Sequence, residues 1–255
     1  MTETPAKPCA ALMVTCLVDL FRPSVGFAAV KLLEDAGCVV EVPLQSCCGQ
    51  PAYNAGERDK ARDVARTMLD ALEGFEHVVA PSGSCAGMVV KHYPELFEGT
   101  ADEVRARDLA DRTWELTRYL VEVAGVTDLG AKLDATVTLH DSCSCLREAG
   151  VRDQPRALLD QVEGVAVTEA ADREVCCGFG GTFAAKYPAI SSAMARDKAD
   201  RLEETGAAIA LAADMGCLLN IAGTLKRRGS AMQVRHIAEV LAGDTTTPAI
   251  GEGEP

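Results

Sequence analysis

Ser46-Cys47-Cys48-Gly49-Gln50 and Val175-Cys176-Cys177-Gly178-Phe179 place the same Cys-Cys-Gly triplet at two points 129 residues apart. Two adjacent side chains cannot easily enter one apolar core, but they can offer two thiolates to one site. Outward from each triplet the pattern continues. Cys16 precedes the first and Cys85 follows it, giving C-x30-CCG-x35-C. Cys143 and Cys217 flank the second, giving C-x32-CCG-x38-C. Corresponding cysteines lie 127, 129, 129 and 132 residues apart, a near-constant offset that marks an internal duplication. The boundary falls near 125–133, predicting a first cysteine-rich domain over 8–128 and a second over 129–243.

Strand-like and helix-like segments alternate through both halves. Ala10 to Val14, Val39 to Leu44 and Val78 to Pro81 read as strands, each ending just ahead of a cysteine station. Ser24 to Ala36, with Phe27, Val30, Leu32 and Leu33 on one face, and Glu57 to Leu72 read as amphipathic helices. Asp102 to Ala124, which carries the only tryptophan, Trp114, reads as one long helix. In the second half the strands are Thr136 to His140, Val165 to Thr168 and Ala208 to Ala212. The helices are Gln154 to Gln161 and Ala189 to Glu204, and Met232 to Leu241 adds a strand and a last helix. This order predicts an α/β protein of two tandem duplicated domains with mainly parallel sheets. Ligands of open α/β sheets sit beyond the carboxyl ends of the strands. The four stations of each half therefore converge on one edge, although they are thirty to forty residues apart along the chain. The polar, Gly/Pro-containing end, 244–255, is expected to be disordered.

The composition bounds the function. Formal net charge is −13, which disfavours nucleic acid and anionic membrane as partners. Met1 to Pro8 lacks the basic-then-apolar order of a secretory signal, and no apolar run is long enough to span a bilayer. A cytoplasmic location is expected, and there clustered thiols serve as metal or redox groups rather than disulfides. Four converging thiolates suit an iron–sulfur cluster. Cys16, Cys47, Cys48 and Cys85 would hold one, and Cys143, Cys176, Cys177 and Cys217 the other. Gly49 and Gly178 permit a tight turn whose amides can donate to sulfur. Zinc in a four-cysteine structural site is the first alternative, making the chain a non-catalytic assembly scaffold. A thiol–disulfide enzyme using Cys143 and Cys145, or an adjacent pair, is the second.

Other residues have two readings each. His140 is a candidate proton carrier or ligand, or else a strand-end histidine with a satisfied hydrogen bond. Arg147 and Arg22, each soon after a first-station cysteine, could hold an anionic substrate or offset cluster charge, or simply face solvent. His92 reads as a surface residue. Cys9 and Cys38 read as bystanders, and Cys145 as a fifth ligand or a resolving thiol. Gly178-Phe179-Gly180-Gly181 lacks both a dinucleotide fingerprint and a P-loop lysine, so it is not read as a phosphate loop.

At these residues the chain resembles the CCG, or cysteine-rich, domain family, which includes the CCG-containing subunit of heterodisulfide reductase and the iron–sulfur subunit of glycolate oxidase. The resemblance is carried by Thr15-Cys16-Leu17-Val18-Asp19, Ser46 to Asn54, Pro81 to Cys85, His140 to Cys143, Cys176 to Phe183 and Asp214 to Cys217. It is strongest to a lactate-utilization branch in which two such domains stand alone. It implies a redox role in oxidising L-lactate to pyruvate. The implied partners are a companion ferredoxin-like iron–sulfur protein and a third lactate utilization protein. The family pattern ends each half in C-x2-C, whereas here Met88 and Asn220 stand at the last position. Without that fifth cysteine the resemblance implies one or two conventional [4Fe–4S] clusters rather than a non-cubane double cluster, and weakens any heterodisulfide chemistry.

Overall fold

The computed structural model describes residues 8–244 and 246–253. Two four-stranded sheets form, and every strand pair is parallel. The first contains β1 (Cys9–Leu12), β2 (Val39–Glu41), β3 (His77–Ala80) and β4 (Thr113–Glu115) in the order β2-β1-β3-β4. The second contains β5 (Lys132–Leu139), β6 (Glu163–Val167), β7 (Ile209–Ala212) and β8 (Gln233–His236) in the order β6-β5-β7-β8. The duplication is visible in register. Ala10, Ala11 and Leu12 of β1 face His77, Val78 and Val79 of β3, and Val137, Thr138 and Leu139 of β5 face Ile209, Ala210 and Leu211 of β7. One residue further on, the amide of Met13 donates to the Val79 carbonyl and the amide of His140 to the Leu211 carbonyl, both at 2.8 Å. Met13 and His140 thus hold the same ladder position.

In each sheet the chain leaves the first central strand for one edge, then returns to build the other side. The carboxyl ends of the two central strands mark the switch point where such sheets bind ligands. Cys16 and Cys85 follow β1 and β3, and Cys143 and Cys217 follow β5 and β7. Each fourth-station cysteine opens a helix capped by the preceding side chain. Ser82 Oγ accepts the amide of Cys85 (3.3 Å), and Asp214 Oδ1 accepts the amide of Gly216 (3.3 Å).

The halves are fastened by buried polar contacts. Asp214 also reaches across, its Oδ2 accepting the amide of Ser84 at 2.8 Å. His236 Nε2–H donates to the Pro81 carbonyl at 3.2 Å. Glu239, fully buried on the helix Ile237–Leu241, accepts from Arg22 Nε at 2.7 Å and Ser24 Oγ at 2.6 Å. The backbone of Gly83 lies so close to Cys145 that a Cβ there would stand 2.1 Å from its sulfur. Only glycine fits that crossing.

Three sequence expectations are corrected. Asp102 to Ala124 is not one helix. The helix Glu103–Asp111 ends, β4 follows, and a further helical segment runs from Leu116 to Val123. Thr113-Trp114 favours a strand, and the open edge of β3 supplies its hydrogen bonds; Thr113 Oγ1 also ties off the helix by donating to the Leu109 carbonyl. Phe27 does not join the buried face of the helix Pro23–Asp35 but is 75% exposed, while Val25, Ala28, Ala29, Leu32 and Leu33 are buried. The end of the chain is ordered over 246–253. Ala249 and Ile250 are buried, the Ile250 amide donates to Val234 of β8, Arg235 holds the Thr247 carbonyl and Lys226 the Gly251 carbonyl. Two apolar residues anchor a polar segment there. Positions 245, 254 and 255 lie outside the described residues.

Glu115, at the end of β4, gives a test of the core electrostatics. One carboxylate oxygen accepts the amides of Thr117 and Arg118, and the other, buried, has no partner among the described residues. Burial pushes this carboxyl up to about 7. The native state therefore keeps a proton that the unfolded chain releases near its ordinary carboxylate pKa. Stability contributed here is full below about pH 4.5 and falls as pH rises toward 7. Glu115→Gln, which keeps the acceptor without the charge, is expected to be near neutral at pH 4 and stabilising by about 3 kcal/mol at pH 8. Denaturant unfolding at the two pH values measures this.

Candidate metal centre

In the first half the sulfurs form a chain of contacts. Cys16 Sγ lies 3.9 Å from Cys47 Sγ, and Cys48 Sγ lies 3.5 Å from Cys85 Sγ. Cys47 and Cys48, adjacent in sequence, also interact through their thiols. In the second half the thiols of Cys143, Cys176, Cys177 and Cys217 perturb one another's ionisation in the same order, and the Cys177 and Cys217 sulfurs lie within 4.8 Å of each other. Eight residues named from spacing are thus brought into two groups of four. All eleven cysteines are free thiols.

The glycine after each pair shapes the turn. Gly49 and Gly178 have φ of +85° and +84°, the left-handed region that only glycine enters without strain. A Cβ on Gly178 would lie 2.7 Å from the Ser191 carbonyl. This turn aims the Gly49 amide at Cys47 Sγ (3.5 Å) and the Gly178 amide at Cys176 Sγ (3.3 Å). The first cysteine of each pair consequently collects donors. The Cys16 and Cys48 thiols, then the Gly49 amide, pull Cys47 down to about 2; Cys143, Cys177 and the Gly178 amide pull Cys176 down to about 2. Their partners Cys16 and Cys143 are pushed up, because each lends its proton to that thiolate. Cys47 and Cys176 are thus the favoured thiolates, and a metal ion binding beside them would displace protons from neighbouring thiols.

The donor set is all sulfur in the first half, which suits iron–sulfur clusters, zinc or copper(I) and not magnesium or calcium. The residues present fit a thiophilic metal group. A tetrahedral ion with Zn–S bonds of about 2.3 Å holds its sulfurs about 3.8 Å apart; the 3.9 and 3.5 Å pairs match that, but no three sulfurs of this first group lie within 4.8 Å of one another, so the group is more open than a single-ion site. A polynuclear cluster requires the same sulfurs to spread outward.

The carbonyl of the second cysteine in each pair is held from the helix at the fourth station, by different means. Tyr93 Oη donates to the Cys48 carbonyl and Asn220 Nδ2 to the Cys177 carbonyl, both at 2.9 Å. Asn220 stands where the family pattern has its last cysteine, so in this chain that position shapes the CCG turn. Sequence reading registered only an absence there.

The remaining candidates separate. His140 is buried beside the second group. A ring nitrogen of His140 and the sulfurs of Cys177 and Cys217 lie within 4.8 Å of one another. Burial, then the nearby Lys198 ammonium, lowers His140 to about 3, so its imidazole is neutral. Lys198, missed from the sequence because it reads as a helix-surface lysine, is 2% exposed. It donates to the carbonyls of Asp172 (2.7 Å) and Arg173 (3.2 Å). Arg147 is exposed and makes no ion pair among the described residues. Arg22 belongs to the interface between the halves. His92 is half-buried against Tyr53 and Glu148. Cys145 is buried under Gly83, outside the sulfur chain, and burial pushes its thiol up. Cys38 contacts Tyr119 Oη at 3.3 Å, and Cys9 contacts Glu41.

Beside the first group opens a groove of about 530 Å³ lined by Thr15, Cys16, Asp19, Leu44, Gln45 and Cys47, among others. Among the described residues its lining includes one carboxylate and no cationic side chain. No described helix is long and apolar enough to cross a membrane.

Comparison with known proteins agrees with the internal repeat. The model of the CCG cysteine-rich domain matches residues 10–90 and again 137–222. Lactate utilization protein A of Macrococcus caseolyticus (strain JCSC5402) is 48% identical over 233 residues, covering 91% of this chain and 95% of that protein. Lactate utilization protein A of Bacillus subtilis (strain 168) is 48% identical over 235 residues, covering 91% and 98%. Solved structures align only loosely; a LacI-family transcriptional regulator from Corynebacterium glutamicum gives a TM-score of 0.31 at 10% identity, covering 94% of this chain and 78% of that one, and carries no argument. With two matches to one domain model, and near-half identity along almost its whole length, the chain belongs to the CCG cysteine-rich domain family, alongside the lactate utilization A proteins.

Proposed function

We propose that the chain is the iron–sulfur redox subunit of a system that oxidises L-lactate to pyruvate. It would work beside a ferredoxin-like iron–sulfur companion and a third lactate utilization protein. The observation that carries this reading is the pair of four-sulfur groups at equivalent sheet edges, on a chain whose relatives are named for lactate utilization. Cys16, Cys47, Cys48 and Cys85 would hold one cluster, and Cys143, Cys176, Cys177 and Cys217 the other. When bound, such a cluster supplies reversible one-electron transfer. The chain's part is to fix the ligands on rigid strand ends and to aim the Gly49 and Gly178 amides at sulfur, which favours the reduced form.

The groove beside Cys16 argues that lactate itself is held elsewhere. A carboxylate substrate calls for an arginine or a lysine, and this lining offers Asp19 instead. Electron carriage, rather than substrate binding, is what the site's chemistry supports.

A second reading is a structural zinc ion in an assembly scaffold, which an all-cysteine donor set also suits if the Cys16–Cys47 and Cys48–Cys85 pairs, 3.9 and 3.5 Å apart, draw together around it. Anaerobic purification followed by iron, acid-labile sulfide and zinc analysis separates the two. The expected result is a brown protein with about four irons and four sulfides per filled site. Zinc without iron, even after anaerobic reconstitution, would establish the scaffold reading and end the redox one.

A further inference from the structure

The two sulfur groups are built by duplication, yet their surroundings are not copies. At the ladder position just past β1 stands Met13, and just past β5 stands His140. Met13 is buried and titrates nowhere, whereas His140 brings a ring nitrogen within 4.8 Å of the Cys177 and Cys217 sulfurs.

The orientation of that ring is fixed by one hydrogen bond. Nδ1 lies 3.3 Å from the Arg173 carbonyl, an atom that can only accept, so Nδ1 carries the proton. Nε2 then presents a lone pair. It is buried and has no hydrogen-bond partner among the described residues. Leaving such an acceptor unmatched is costly. Donation of the other ring N–H to a backbone carbonyl is the arrangement by which proteins orient a metal-bound histidine. The Arg173 carbonyl is itself held, receiving Lys198 Nζ at 3.2 Å.

From this geometry we infer that His140 Nε2 is a ligand of the second centre. That centre is then of mixed nitrogen and sulfur donors, while the first is all sulfur. The inference rests on the metal-binding reading above. Five donors then surround the second centre. Cys177, Cys217 and His140 form its inner group, and Cys143, whose thiol contact is with Cys176, is the donor that becomes dispensable. Its counterpart Cys16 has no such substitute. A nitrogen donor in place of a thiolate removes negative charge from the centre and raises its potential, as histidine ligation does in other iron–sulfur proteins. The two centres would therefore sit at different potentials.

The test uses the full chain with each centre isolated. Cys48→Ser leaves the second centre and Cys177→Ser leaves the first. Each is loaded anaerobically with iron and sulfide and, separately, with cobalt(II), and read by pulsed electron paramagnetic resonance with natural and 15N-labelled histidine. A histidine nitrogen coupling is expected in Cys48→Ser, changed by the label, absent from Cys177→Ser, and lost in Cys48→Ser with His140→Gln while metal remains bound. Cys143→Ser should keep its second-centre metal, and Cys16→Ser should lose the first. A metal-loaded second centre with no histidine coupling would overturn the inference; that measurement needs no change at His140. Iron refused but cobalt bound with the coupling would sink the iron–sulfur reading and leave this one standing. Neither metal bound would sink both.

Discussion

Cys177→Ser is expected to remove one centre and leave the other intact, so that bound metal per chain falls to half. Cys177 lies at the middle of its group, buried, touching the thiols of Cys176 and Cys217 and close to His140. A serine hydroxyl is a harder and far less acidic donor, poorly matched to a thiophilic metal. The first group shares none of these sulfurs. If both centres lie on the electron route, reduction of an acceptor by the assembled system should fall at least tenfold, a barrier change of about 1.4 kcal/mol or more. Cys48→Ser should mirror the loss at the other centre. Cys9→Ser, whose thiol faces Glu41, should change nothing. Metal analysis of the anaerobic proteins reads all three; full occupancy in Cys177→Ser would refute the four-sulfur assignment.

Arg22→Ala is expected to destabilise the fold by about 3 kcal/mol while leaving metal content per folded chain unchanged. The reason lies in what remains behind. Glu239 is fully buried, and Arg22 Nε at 2.7 Å is its one cationic partner among the described residues. Ser24 Oγ and the His236 amide would stay as neutral donors. Buried ion pairs add little when compared with a good apolar replacement, but breaking one strands a charge and costs several kcal/mol. The double variant Arg22→Met with Glu239→Gln should therefore recover most of the loss. For a chain of this size the single change corresponds to a fall of about 10 °C in Tm. A loss of metal from folded Arg22→Ala would instead place Arg22 in the service of the centre.

The path from sequence to site was legible wherever the signal was local or repeated. Strand ends preceding Cys16, Cys85, Cys143 and Cys217 could be read from apolar runs, and parallel topology then forces those ends together. What escaped reading depends on contacts distant in sequence. Thr113-Trp114 is too short a β-favouring signal to stand out from the helical residues around it; the vacant edge of β3 decides it. Ala249 and Ile250 look like part of a polar tail until β8 is there to receive them. Asn220 read as a missing cysteine because its task, holding the Cys177 carbonyl, exists only once helix and turn have met. His140 was a candidate from its nearness to Cys143, but only the Arg173 carbonyl reveals which nitrogen carries the proton. Arg147 had equal proximity in sequence, and its helix turns it to solvent.

The crossing of Gly83 over Cys145 makes that thiol a clock. Cys145 is only 5% exposed, with the Gly83 backbone of the opposite lobe packed against its sulfur, so a reagent as small as iodoacetamide reaches it slowly while the lobes stay closed. Its rate of alkylation therefore measures how often the lobes part. Compared between metal-free and metal-loaded protein, that rate would report how far filling the centres locks the molecule shut.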